Sequence, residues 1–295
     1  MIDLHIHTNY SDGTDSLIEV LQKAESAGLE MISITDHDRV DAYEELEKID
    51  MKQYYSGKII KGIEIKCWYE TRNIEILGYG IDVNKIQKWL NDFYKEKPVS
   101  VIQRKYFNKL YDICKEKGIL LRAKNEIEWD PKKDWAAVTI HNEIKRNIEN
   151  KNKVPEDLWE SISIFSRKYT SYEESEFYLD KSMDYPSVKE TIEQIKEAGG
   201  MSFLAHLYIY KFKNEEDVLN ELVNKYKIDG IECFYSRFTQ EQMDHLSRYC
   251  TENNLGMSGG TDYHGTHSPD LKLGVGMGNL NIESKIVKKW VKDIV

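Results

Sequence analysis

Residues 1–13 read MIDLHIHTNYSDG, with Asp3, His5 and His7 in strict alternation and Asp12 close behind. In a β-strand successive side chains point to opposite faces, so positions 3, 5 and 7 share one face. That face carries one carboxylate and two imidazoles, a poor set for a packed core. Ile2, Leu4 and Ile6 take the other face and are ordinary core residues. The question this stretch raises is whether its polar face is a metal site.

Outward from it, residues 1–90 alternate short apolar runs with helical patterns. MIDLHI (1–6) reads as a strand, and DSLIEVLQKAESAG (15–28) as a helix ended by Gly28. MISIT (31–35) is the next strand and DAYEELEKI (41–49) the next helix; GKIIKGIEI (57–65) and NIEILGYGI (73–81) have strand composition. Strands separated by helices of this length predict parallel pairing through right-handed crossovers. Residues 84–183 differ, being rich in Lys, Glu, Asn and aromatics with helical apolar spacing, as in SVIQRKYFNKLYDICKEKG (100–118) and AAVTIHNEIKRNIE (136–149). Alternation resumes with SVKETIEQIKEAGG (187–200), MSFLAH (201–206), NEEDVLNELVNKY (214–226), DGIECFY (229–235), TQEQMDHLSRYCTENN (239–254) and LGMSGGTDYHG (255–265). The expected organisation is a barrel domain from 1–83 and 184–295, interrupted by a helical insertion at 84–183.

A chain of 295 residues with 40% hydrophobic content can bury a sizeable core. Its net charge of −10 does not suit tight duplex nucleic-acid binding, which needs clustered Lys and Arg to displace counterions. Small phosphorylated substrates stay open, because bound cations can supply the positive charge. The four cysteines form no CxxC pair and read as reduced structural residues. No targeting segment and no apolar run of ~20 residues is visible, so no membrane span is expected and the compartment expected is the cytoplasm.

Several apolar strands close on metal-type side chains. His5 and His7 end the first, Asp36 and His37 follow the second, and Glu64 ends the third. His206 ends MSFLAH, while Asp262 and His264 follow a short strand near the end of the series. In parallel α/β barrels functional groups gather at the carboxyl ends of strands. Any one piece has a plain alternative: a helix N-cap for TDHD, a core histidine at 206, a polar loop at GTDYHG. All of them repeating the same strand-end placement is hard to reconcile with independent structural roles. Imidazole and carboxylate ligands without thiolates suit Mn, Fe or Zn, and seven or eight ligands exceed the needs of one ion. Two or three ions held close together fit such a set, and water bound to them ionises near neutral pH.

The motifs DLHIHTNYSDG, ITDHD, GIEI, FLAH and GGTDYHG, in this order, resemble the PHP (polymerase and histidinol phosphatase) superfamily of metal-dependent phosphoesterases. The resemblance implies a distorted (β/α)7 barrel with a two- or three-metal site. It implies the ligands His5, His7, Asp12, His37, Glu64 as a bridging carboxylate, His206, Asp262 and His264. The insertion resembles the branch of nucleoside 3′,5′-bisphosphate phosphatases and 5′–3′ exoribonucleases. In that branch a His and Arg residues of the insertion face the substrate phosphate; His141 and Arg104 match those places, with Arg122 and Arg146 as weaker matches. The branch has a histidine ligand in HILGY where this chain reads EILGY, which makes Glu75 the candidate ligand there. It also has Arg-Pro ahead of the insertion His, absent from AVTIH, and Pro where this chain has Leu207.

The expected activity is metal-dependent hydrolysis of phosphomonoesters of small nucleotides of the 3′,5′-bisphosphate type. Histidinol phosphate and short RNA or DNA are the alternative substrates, and a non-catalytic metal-stabilised module is the alternative from another class. The ions would offset charge developing on the phosphoryl group, and the insertion would select the leaving group. No side chain is identified as the general acid.

Overall fold

The computed structural model describes residues 1–291. The described residues divide into two compact units: residues 1–67, 74–90 and 187–291, and residues 68–73 with 91–186. The first unit is built on seven strands in the order β1 to β7. They are β1 (Ile2–Ile6), β2 (Met31–Ile34), β3 (Lys58–Tyr69), β4 (Arg72–Tyr79), β5 (Met201–Leu204), β6 (Gly230–Tyr235) and β7 (Gly256–Gly260). β1, β2 and β3 pair in parallel, as do β5, β6 and β7. The seam is all but closed where Ile6 bridges Tyr263 in parallel and the His5 carbonyl accepts the Asp262 N–H at 2.9 Å. The outcome is the nearly closed seven-stranded barrel that the motifs led us to expect.

Parallel pairing fails at one strand, β4. β4 runs antiparallel to β5, Ile76 opposite Leu204 and Tyr79 opposite Met201. The cause is local: β3 passes to β4 through a turn at Glu70, which takes a positive φ of 52°, with no crossover helix between the two strands. A short turn reverses the chain, whereas a crossover would have preserved its direction.

The connecting helices are amphipathic and bury one stripe each. α1 (Leu17–Ser26) buries Leu17, Val20, Leu21 and Ala24, and starts on a capping box in which Ser16 and Glu19 satisfy each other's backbone N–H groups. α2 (Asp41–Leu46) and α3 (Val83–Tyr94) follow β2 and β4. In the second unit, α4 (Val99–Glu116), α5 (Ala136–Arg146), α6 (Glu156–Glu160) and α7 (Ile162–Ile164) enclose a core that includes Phe107, Leu110, Ile140, Leu158 and Phe165. Back in the first unit, α8 (Val188–Glu197), α9 (Glu215–Asn224) and α10 (Gln240–Glu252) alternate with β5 to β7. All four cysteines are buried, and Cys233 and Cys250 bring their sulfurs to 3.5 Å. Among the described residues no helix is long and apolar enough to cross a membrane.

Candidate metal centre

Glu64, on β3, is buried and sits among four imidazoles. Its Oε1 lies 3.0 Å from His206 Nε2 and 3.4 Å from His5 Nε2. Its Oε2 lies 3.1 Å from His37 Nδ1 and 3.3 Å from His7 Nε2. A second carboxylate completes this side: Asp262 Oδ1 is 3.2 Å from His7 Nε2, 3.4 Å from His5 Nε2 and 3.5 Å from His264 Nδ1. Asp12, half exposed, points Oδ1 at His264 Nε2 (3.2 Å) and Oδ2 toward His37 Nε2 (3.6 Å). Potential ligand atoms fall into three overlapping groups: His7, Asp12, His37 and His264; His5, His7, Glu64 and Asp262; and His37, Glu64 and Glu75. Glu75, on β4, is also 3.5 Å from His206 Nε2.

These positions follow from strand geometry. The ends of β1, β2 and β5 and the segment after β7 open on one rim, so residues far apart in sequence converge; Glu64 joins them from inside β3 and not from its end as expected, because that strand runs on to Tyr69. His206 and Asp262 take positive φ angles of 25° and 55°, a region that non-glycine side chains rarely adopt. Backbone strain of this kind persists where surroundings over-determine it, and both residues aim side chains into the cluster.

The electrostatics explain why such a set tolerates burial. Burial works against a charged imidazole at His7, but the Asp262 and Glu64 carboxylates outweigh it and raise His7 to about 10. His5 and His206 are raised in the same way, Glu64 leading the carboxylates at each. Conversely burial raises Glu64, Asp262 and Asp12, yet the surrounding imidazoles bring each carboxyl below its ordinary range. His37 moves the other way, lowered by burial and further by the neighbouring His7 charge.

The donor set fits divalent ions. Four buried atoms that face one another in the cluster, His5 Nε2, His7 Nε2, His37 Nδ1 and Glu64 Oε2, make no hydrogen bond, while His206 turns its Nε2 to Glu64. Buried polar atoms are nearly always partnered, so this many orphans in one place point to ligands that hydrogen bonds do not supply. Nitrogen and carboxylate oxygen donors without sulfur suit Mn, Fe or Zn.

Several residues outside the ligand groups support the cluster, and of these Glu232 and Tyr235 lie outside the quoted motifs. Glu232, buried on β6, receives a hydrogen bond from His5 Nδ1 at 2.8 Å and another from the His206 backbone N–H at 2.8 Å. It thereby fixes the His5 tautomer with Nε2 facing the cluster. Asp36 accepts from Thr8 N (2.8 Å), Thr8 Oγ1 (2.7 Å) and Ser11 Oγ (2.5 Å), which holds the loop that leads to Asp12. Tyr235 donates to Asp262 Oδ2 at 2.9 Å. Asp3 shares the face of His5 but is not in the cluster; its oxygens accept from Thr261 and Gly274 and tie β1 to the segment after β7.

The second unit holds the remaining sequence candidates. His141 is buried on α5, its Nε2 2.9 Å from the Leu158 carbonyl and its ring stacked on Phe165. Arg104 is exposed on α4. Arg122 is engaged by Glu143 through two hydrogen bonds of 3.0 and 2.7 Å, and Arg146 lies 3.9 Å from the same carboxylate.

Comparison with known proteins adds an independent line. The family model described as PHP domain matches residues 3–234. A 5′-3′ exoribonuclease of Haemophilus influenzae is 25% identical over 98% of this chain and 98% of its own length. A phosphoribosyl 1,2-cyclic phosphate 1,2-diphosphodiesterase of Eggerthella lenta is 23% identical, covering 89% of this chain and 94% of its own. A 3′,5′-nucleoside bisphosphate phosphatase of Chromobacterium violaceum is 28% identical, over only 28% of each chain. Among solved structures, a candidate metal-dependent phosphoesterase from Bifidobacterium adolescentis has a TM-score of 0.67 at 20% identity, covering 100% of this chain and 96% of that one.

Proposed function

The chain belongs to the PHP domain family of metal-dependent phosphoesterases, and from that premise we propose that it removes a phosphate from small nucleotides of the 3′,5′-bisphosphate type, using two or three divalent ions held by His5, His7, Asp12, His37, Glu64, Glu75, His206, Asp262 and His264. The observation that carries the reading is the convergence of orphaned nitrogen and oxygen atoms around Glu64. The likeness to a 3′,5′-nucleoside bisphosphate phosphatase supports the substrate class. Bound divalent ions would supply Lewis acidity to the phosphoryl group and lower the pKa of water. The protein's part is positional. Glu64 offers one oxygen to each side of the cluster and so can bridge. Glu232 orients His5, Asp36 holds the loop that presents Asp12, and Tyr235 orients Asp262. Arg104 and His141 are assigned to substrate contact on the resemblance of the insertion alone.

The test compares release of phosphate from a nucleoside 3′,5′-bisphosphate, from histidinol phosphate and from short 5′-phosphorylated RNA, with Mn2+ supplied. The bisphosphate should be preferred, and preference for histidinol phosphate would remove the nucleotide reading. Shortening of RNA in excess of bisphosphate hydrolysis would favour the second reading, an exonuclease, which the full-length likeness to an exoribonuclease motivates. His37→Ala and Asp262→Asn should each lower the rate at least about 100-fold, beyond the usual cost of losing one supporting partner. An unchanged rate in both would show that the cluster is not the catalytic centre.

A further inference from the structure

The three ligand groups are not alike. The first two combine imidazoles with one or two carboxylates, and the third has one imidazole, His37, beside Glu64 and Glu75. It also has a basic neighbour. Lys66 and Glu64 are two apart on β3 and so leave the strand on the same face. The Lys66 ammonium lies 3.3 Å from Glu75 Oε1, both side chains being largely enclosed at 25% and 16% exposure. The Lys66 backbone N–H also donates to Asp38 Oδ1 at 3.1 Å, which fixes that point of β3 against the loop bearing His37.

We propose that the Lys66 ammonium takes the place of a third divalent ion, so that this centre binds two ions and completes the charge of its third group with a fixed lysine. The inference rests on the metal-centre reading above and narrows it: Glu75, a candidate ligand there, is here taken out of the ligand set by its pairing with Lys66. Glu75 is already shared, one oxygen toward Lys66 and the other 3.5 Å from His206 Nε2. A divalent ion on Glu75 would stand within a few ångströms of the ammonium, and like charges at that range repel strongly in an enclosed site. An ammonium also offers N–H donors to an anionic oxygen, so it can hold a phosphoryl oxygen where an ion would otherwise coordinate one.

The experiment uses the whole chain, stripped by chelation, reloaded with excess Mn2+ alone, freed of unbound ion by gel filtration and analysed for manganese per chain. Wild type should hold two ions, Lys66→Met three, and Lys66→Arg two. Glu75→Gln should still hold two, because Glu75 pairs with Lys66 and does not ligate. Three ions in wild type, two in a folded Lys66→Met, or the loss of an ion in Glu75→Gln would each overturn the proposal. Circular dichroism reports whether each variant is folded. Should Lys66→Met fail to fold, wild type against Glu75→Gln decides alone: two and two supports the lysine, and any other pair of counts overturns it. Wild type with no ions and no phosphatase activity would bring down the metal-centre reading as well, an outcome distinct from three ions in an active enzyme.

Discussion

Glu232 divides its two oxygens between His5 Nδ1 and the backbone of His206, with no exposed surface of its own. Glu232→Gln keeps the shape and removes the charge that supports the His5 N–H. Loss of such a partner typically costs 10- to 100-fold, so affinity for Mn2+ should fall by about that factor in a metal titration while the fold is retained. A second prediction concerns protons. Metal ligation needs a neutral imidazole, and in protein stripped of metal His7 is raised to about 10, against burial, by Asp262 and Glu64. Loading at pH 8 should therefore release protons, measurable in weak buffer, and affinity should rise with pH. The stability sign follows from linkage. The folded-state value of His7 exceeds 6.5, so its contribution is fully present below pH 6.5 and is lost as pH rises through about 10. Glu64 and Asp262 are lowered, so theirs is present above about 4.5 and lost in acid. Most clustered ligands were legible in sequence because they close an apolar strand or follow one, whereas Glu64 and Glu75 lie inside β3 and β4 and were legible through the motifs they sit in. Glu232 and Lys66 were not, since each sits inside a strand between apolar neighbours and outside those motifs.

At the level of elements, β1 and β7 approach so closely that a Cβ at Gly260 would collide with the backbone nitrogen and Cβ of His5. Gly260→Ala should push the His5 strand outward, costing about 1–3 kcal/mol from overpacking and weakening metal binding in parallel, read by thermal melting and metal titration. By contrast Ser16→Ala, which removes the cap of α1, should cost about 1 kcal/mol and leave the ion count unchanged. Helix and strand positions were readable from apolar spacing and from glycines such as Gly28, whose φ of 66° ends α1. Strand direction at β4 was not, because an apolar run has the same composition whichever way it is paired; only the missing crossover before it carried the information.

On the scale of the whole molecule, the helical unit has a core of its own around Leu110 and Phe165, both fully buried. Leu110→Ala should destabilise that unit by about 2–5 kcal/mol, followed by denaturant melting, with manganese per chain unaffected if the barrel residues alone hold the ions. With an acidic balance of −10 overall, bound cations at the proposed centre would be the main attraction for a phosphate. The barrel closes through pairs such as Asp3 with Thr261, 258 positions apart. Translation reaches Asp262 and His264 only long after His5 and His7 have left the ribosome. A product terminated between these two stretches lacks part of the proposed ligand set and should retain fewer ions than the full chain in the same manganese assay.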